Sequence, residues 1–143
     1  MTTKLEVLIR PAETKDAERL QQLWDSTGLE RAAADEWEAL LSGRTTAVLV
    51  AEEGGKVIGT AIASYDGWRA YIYHVGVAAS HRRSGVAFDL MGQAEQYLMS
   101  AGARFVYVMV HQDNTEGMAL VGSTGYLPEG EIVLAKRLAT RPA

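Results

Sequence analysis

The sequence predicts an α/β (α+β) fold, a mixed and mostly antiparallel sheet flanked by helices on both faces, and three observations carry that reading. Residues 45–77 break into three strand-like runs at Gly54-Gly55 and Asp66-Gly67, dipeptides suited to tight hairpin turns. Residues 14–27 and 86–98 instead space their apolar side chains at helical intervals. The second of these helices lies between two strand-like runs, 70–77 and 104–110, which no hairpin can join. A crossover follows, and with it a mixed sheet covered by helices. The whole order reads β-α-α-β-β-β-α-β-α-β.

Leu5, Val7 and Ile9 alternate with Glu6, Leu8 and Arg10 in a first strand that ends at Pro11. Thr14 is placed to cap the next helix, with Asp16 in its first turn. Ala17, Leu20, Leu23, Trp24 and Thr27 make its stripe, and Gly28 stops it. Asp35 and Glu38 stand at capping-box spacing for a shorter helix whose apolar side is Trp37, Leu40 and Leu41, closed by Ser42-Gly43. Strands over 45–52, 56–65 and 70–77 form the meander. After the helix from Val86, striped by Ala87, Leu90, Met91, Ala94 and Leu98, Gly102 breaks the chain before the strand at 104–110. A short helix at 115–122, Gly125-Tyr126 and a last strand near 131–138 complete the order.

The 143 residues suit one domain over 1–143. The absence of cysteine excludes disulfides, a thiolate metal site and a cysteine nucleophile, and three scattered histidines make no metal-ligand set, so no metal is expected. A net charge of −4 argues against a nucleic-acid surface and weakly favours a cationic substrate. No apolar run approaches the ~20 residues of a membrane span and no signal-peptide pattern opens the chain, so no membrane association and a cytoplasmic location are expected.

The stretch from Val75 to Leu98 carries the chemistry. Val75, Gly76 and Val77 end a strand; Arg82, Arg83, Ser84, Gly85, Val86 and Ala87 form a basic loop running into a helix. Unpaired N–H groups at a helix start, its positive dipole end and two arginines suit a pyrophosphate, and glycine lets the ligand come close. A plain exposed turn capping a helix is the alternative.

Arg82, Gly85 and Ala87 spell R-x-x-G-x-A, and with the flanking strand and helix they resemble the acyl-CoA binding motif of the GNAT N-acetyltransferase superfamily. The resemblance extends over about 5–137 and implies a GNAT-like fold in which the strands on either side of the helix splay into a V. It implies acetyl-CoA as co-substrate, its pantetheine arm against the backbone of Val75, Gly76 and Val77, with Gly76 at a bulge or close ligand approach. It also implies that Asn114, in the run N-T-E-G-M-A-L-V-G-S-T-G-Y, contacts the arm, and that a homodimer is among the assemblies to expect.

Two departures from the family bear on catalysis. Val121 stands where the family frequently has the tyrosine that protonates the leaving thiolate, which leaves Ser123, Tyr126, water or an unprotonated departure. Met109 and Tyr71 stand where relatives that acetylate protein tails carry glutamates. His74, one residue before V-G-V, is then the candidate general base, against the reading that its ring packs in a strand. His111 is a second candidate; His81 reads as a loop side chain near solvent or phosphate, and Glu52 and Glu53 as turn residues or a water-relayed base. Tyr65, Asp66, Trp68, Tyr71 and Tyr73 read as cross-strand aromatic pairs or as a surface for a cationic amine. Trp24 and Trp37 read as core on helices that border the acceptor pocket by resemblance. The function expected is transfer of acetyl from acetyl-CoA to a primary amine, a small molecule ahead of a peptide amine, by direct attack in a ternary complex. A non-catalytic acyl-CoA sensor and a protein N-terminal acetyltransferase are the alternatives.

Overall fold

The computed structural model describes residues 6–139. Five strands, β1 (Val7–Pro11), β2 (Thr46–Glu53), β3 (Lys56–Tyr65), β4 (Ala70–Val77) and β5 (Val106–Val108), lie side by side in chain order. The first four are antiparallel neighbours, and β5 runs parallel to β4. The crossover between them is α3 (Val86–Ala101), as the sequence requires. Helices α1 (Ala17–Thr27), α2 (Ala34–Ser42) and α4 (Thr115–Ser123) complete the set.

The pleat of β2 sorts its side chains onto two faces. Leu49 and Ala51 join Leu90, Met91, Ala94 and Leu98 of α3 in one cluster; Val48 and Val50 join Leu20, Leu23, Trp24 and Trp37 of α1 and α2 in another. Leu90, Met91 and Leu98 are at most 1% exposed. Burial of each stabilises the fold by roughly 1.5–3 kcal/mol. Covering both faces follows from the helical stripes and is the two-sided sandwich expected.

Several boundaries moved for local reasons. Leu5, read as part of the first strand, lies outside the described residues. Thr14 does not cap α1; it opens a 3-10 turn, Thr14–Asp16, that precedes it. Asp16 stands at the N-cap position of α1 without a side-chain bond to that helix; its carboxylate closes the preceding turn, accepting from Glu13 N–H at 2.7 Å and from both terminal nitrogens of Arg10 at 2.8 and 2.9 Å. Arg10 Nε also donates to Glu52 at 2.7 Å, so one guanidinium ties β1, β2 and the entry to α1. The Arg10 hydrogen bond holds the Asp16 carboxyl below the usual carboxylate range, against the opposing effect of burial. The second helix starts one residue before Asp35, because Glu36 rather than Glu38 reaches back, accepting Ala33 N–H at 2.8 Å. Asp66-Gly67 opens a four-residue loop and not a two-residue turn: Asp66 Oδ1 accepts the N–H groups of Trp68 and Arg69 at 2.8 and 2.7 Å.

The strand expected at 104–110 contracts to three residues, and that expected near 131–138 does not form. Residues 127–139 belong to no strand or helix, and Ile132, Val133, Leu134 and Leu138 stay exposed. A strand closes no hydrogen bonds by itself, so apolar alternation without a neighbouring edge leaves the segment extended.

Candidate active site

A bulge in β4 organises the site. Tyr73 pairs with Ile62 and Gly76 with Thr60, so His74 and Val75 together face the single residue Ala61. The extra residue is His74, whose backbone is left-handed (φ 53°), an uncommon conformation for a side-chain-bearing residue that marks local strain. Its consequence is a break in alternation. Ile72, Val75 and Val77 face the α3 cluster, whereas the consecutive side chains of Tyr73 and His74 both turn to the α1–α2 side. The sequence reading put either a bulge or a close ligand approach at Gly76. Gly76 instead meets a close approach within the protein, since a Cβ there would lie 3.1 Å from Leu29 Cδ1 and 3.3 Å from Thr27 Oγ1.

The same bulge ends the pairing of β4 with β5. Their register runs only through Ala70–Val106, Tyr71–Tyr107 and Ile72–Val108, with one more bond from Met109 N–H to Ile72 C=O at 3.1 Å. Beyond it Gly76 and Val77 pair with β3 alone among the described strands. The backbone edge of β4 next to Val75, Gly76 and Val77 is therefore open, in the V that the resemblance implies.

At the foot of that edge a 3-10 turn, Ala79–His81, leads through Arg82 to two left-handed residues, Arg83 (φ 62°) and Gly85 (φ 86°). Gly85 is the N-cap of α3, and no side chain caps the helix, so the donors of its first turn, starting at Val86 and Ala87, face outward. A Cβ at Gly85 would meet nothing within 4 Å: the space above the helix start is open. Arg82, Arg83 and Ser84 are exposed, and Arg83 approaches Glu116 of α4 at 3.9 Å. The loop is braced from below, where the Ser84 hydroxyl donates to the His81 carbonyl and His81 Nε2–H donates to Glu53 Oε1 at 2.8 Å. His81 and Glu53 are thus braces, neither a free loop side chain nor a turn carboxylate, and Glu52 is held by Arg10. Asn114 sits at the start of α4, where its Oδ1 accepts Gly117 N–H at 2.9 Å. A Cβ at residue 117 would lie 2.5 Å from Asn114 Nδ2, so a side chain there would displace the Asn114 amide from its present position.

On the other side of the bulge lies a cavity of about 450 Å³, walled by Trp24, Glu30, Arg31, Glu36, Tyr73 and His74 among others. The His74 ring stands edge-on to Trp24, 4.9 Å between centroids, and its Nε2 lies 2.9 Å from the Glu30 carbonyl oxygen. A carbonyl only accepts, so Nε2 carries the hydrogen and Nδ1 is the nitrogen left for proton transfer. Burial raises the Tyr73 phenol above its ordinary value. Trp24, read as core, is both: it is 1% exposed, donates from Nε1 to Thr60 Oγ1 at 3.2 Å and lines the cavity. Glu30 and Glu36 were not singled out from sequence; the only signal for them is their place around the two helices flanking the cavity.

Other candidates disperse. His111 is exposed and turned to its own loop, where Nδ1 accepts Asp113 N–H at 3.2 Å. Ser123 donates to the Leu120 carbonyl of its own helix at 2.6 Å. Tyr126 donates to Glu95 of α3 at 2.7 Å, and burial first, then Glu95, pushes its phenol well above the ordinary range. Neither hydroxyl is poised to give up a proton. The aromatic hairpin binds a cation of its own: Arg69 lies 4.8 Å from the Trp68 ring centre and 5.5 Å from that of Tyr107, while Tyr71 stacks on Tyr107. Among the described residues, no group of three histidine, aspartate or glutamate side chains could hold a metal ion.

Comparison with known proteins agrees with this geometry. A relative from Yersinia pestis (strain Pestoides F), described as an acetyltransferase, is 31% identical over 133 residues, 91% of this chain and 94% of its own. A transcriptional regulator from Bacillus halodurans C-125 superposes with a TM-score of 0.83 at 17% identity, over 92% of this chain and all of that one. AAC(6')-Iy, solved with the bisubstrate analogue CoA-S-monomethyl-acetylneamine, superposes at 0.78 and 18% identity over 94% and 99% of the two chains. The family model for acetyltransferases of the GNAT family matches residues 13–126, from the turn before α1 to the tyrosine held by Glu95, and the chain belongs to that family.

Proposed function

We propose that the chain transfers the acetyl group of acetyl-CoA to the primary amine of a small cationic acceptor. The observation that carries this is the bulge at His74, which puts an open β4 edge and an uncapped helix start on one side and the walled cavity on the other. The loop 82–87 would hold the pyrophosphate through the main-chain amides of Ser84, Gly85, Val86 and Ala87, with Arg82 and Arg83 adding charge-assisted contacts. Val75, Gly76 and Val77 would pair with the pantetheine arm, and Asn114 would reach it through Nδ2, its Oδ1 being engaged.

In the reaction the acceptor nitrogen attacks the thioester carbonyl, an N–C bond forms, and the C–S bond breaks as the thiolate departs. His74 Nδ1 takes one proton from the ammonium before attack, because only the neutral amine carries the lone pair. The second proton, made acidic once the N–C bond forms, passes to water, and the Val75 N–H would be the donor to the developing oxyanion. With Ser123 and Tyr126 committed elsewhere, the thiolate leaves unprotonated or takes a proton from water; a thiol with pKa near ~8.5 tolerates this. Holding the two reactants in line supplies most of the acceleration. Glu30 and Glu36 outnumber Arg31 in a wall shared with two aromatic rings, and that lining favours a cationic acceptor. The amino-sugar portion of the analogue bound to AAC(6')-Iy supports the same class. The lack of the two family carboxylates, at Met109 and Tyr71, weighs against protein tails.

A thiol-release assay with acetyl-CoA and a panel of amines tests this. Turnover with small polyamines or amino sugars and none with peptide N-termini is expected. Acetyl-CoA binding without turnover on any amine would replace the enzyme reading with that of an acyl-CoA sensor.

A further inference from the structure

Residues 28–33 join α1 to α2 and belong to no helix or strand. The first end of this stretch closes on the helix before it: Gly28 is left-handed (φ 75°), and Leu29 N–H donates to the Trp24 carbonyl at 2.8 Å. The last end closes on one side chain. Gln21 Nε2 donates to the Ala32 carbonyl at 2.8 Å, and Gln21 Oε1 accepts the Ala32 N–H at 3.1 Å. The amide thus meets both polar groups of one residue, as a neighbouring strand would. Gln21 is only 7% exposed, on a helix whose other buried side chains are Leu20, Leu23 and Trp24. Between its two closed ends the loop touches the bulge of β4. The Glu30 carbonyl accepts from His74 Nε2 at 2.9 Å, and Leu29 lies so near Gly76 that a Cβ there would come within 3.1 Å of its Cδ1.

We propose that Gln21 is a positioning residue for acetyl transfer: by clamping Ala32 it holds the Glu30 carbonyl against His74, which keeps the hydrogen on Nε2 and leaves Nδ1 to take the acceptor's proton. This rests on the reading of His74 as base and says how that base is set. A neutral imidazole carries its single hydrogen on either nitrogen, and a ring with the hydrogen on Nδ1 has no lone pair there to accept another. One fixed carbonyl beside Nε2 selects the useful form. That carbonyl is main chain, so it goes where the loop goes, and the loop is held at Leu29 and at Ala32. Helix α1 therefore reaches His74 twice. Trp24 stands against the ring directly, 4.9 Å between centroids; Gln21, three residues earlier and so a neighbour on the helix surface, acts through Ala32 and Glu30. Gln21 does not wall the cavity, so its effect passes through His74 and not through contact with the acceptor.

Nuclear magnetic resonance of the isotopically labelled full chain, with neither acetyl-CoA nor amine present, reads the His74 ring nitrogens directly. In the parent they should be well separated, Nε2 protonated and Nδ1 bare. Gln21→Leu removes both bonds to Ala32 at similar volume; the two resonances should then draw together as the ring exchanges between tautomers. Amine acetylation by the same variant should lose about tenfold in kcat with acetyl-CoA affinity unchanged. In a His74→Ala background Gln21→Leu should cost nothing more, because a residue that acts through His74 has nothing left to act through. Gln21→Glu keeps the acceptor for Ala32 N–H and loses the donor, so it gives the same reading should the leucine variant not fold. An unchanged ring in a folded, active variant would overturn the proposal, and so would equal kcat losses with and without His74. A ring that loosens in a protein turning over no amine at all would instead fail the acetyl-transfer reading while leaving the clamp on His74 in place.

Discussion

The loop before α3 and the cavity beside His74 lie on either side of β4 and are built in opposite ways. The loop presents main chain: Arg82, Arg83, Ser84 and Gly85 are exposed, and the helix start above them is capped by no side chain. The cavity presents side chains, each seated against a neighbour, with His74 fixed by Trp24 and by the Glu30 carbonyl. A site made of amides depends on a few φ angles and on space. A site made of side chains depends on how the whole sheet turns, here on one extra residue in β4. Losses in the first should therefore appear in cofactor affinity, and losses in the second in turnover.

Gly85→Asp should show the largest effect. It forces a side chain onto a left-handed backbone and puts a carboxylate where the proposed cradle needs an anion, so acetyl-CoA affinity measured calorimetrically should fall roughly a hundredfold or more, two steps of about 1.4 kcal/mol. An unchanged affinity would break the contrast at its first term. His74→Ala should reverse the pattern: kcat falling by about 10–100-fold and the low-pH limb of the rate profile flattening, with acetyl-CoA affinity intact. A variant with the parent's pH profile would remove His74 as base.

Asp16→Asn tests the footing of the cavity wall rather than its chemistry, because Asp16 fixes the entry to α1. Loss of the paired carboxylate should cost about 2 kcal/mol in denaturant unfolding at neutral pH. The folded state holds the Asp16 carboxyl below its unfolded value of about 3.9, so its contribution is complete above that pH and is lost as pH falls through the lower folded value. The gap between parent and variant should close in strong acid; a gap that persists there would assign the effect to packing. Gly117→Ala is the mildest, forcing Asn114 to swing and surrendering the cap of α4 at a cost of about 1 kcal/mol. It should appear as faster hydrogen exchange in α4 with little change in melting temperature.

The same contrast explains which features could be read from sequence. Gly54-Gly55 and Asp66-Gly67 fixed the meander closely enough that β3 and β4 ran over the expected residues, and R-x-x-G-x-A marked the helix start because such a loop is specified locally. The orientation of His74 was not legible. Sequence favours glycine at a bulge, and the strain was instead taken by histidine, one position before the strand turned toward the α1–α2 side. For the same reason the length of β5 could not be read from its own residues, since its pairing ends where β4 departs. Asn114 was marked by resemblance as a cofactor contact, and its capping geometry became visible only with Gly117 beside it. The strand expected at 131–138 did not form, because apolar alternation in a segment does not by itself supply a neighbouring edge to pair with.

The two apolar clusters lie on opposite sides of the sheet, and among the described residues only Ala78 packs against both. The sheet therefore works as a partition. Substitutions that reshape the chamber beside α1 and α2 need not be transmitted to the helix that supports the basic turn. On the proposed assignment of the two sites, selection could alter what is acetylated while leaving untouched the means of holding the acetyl donor.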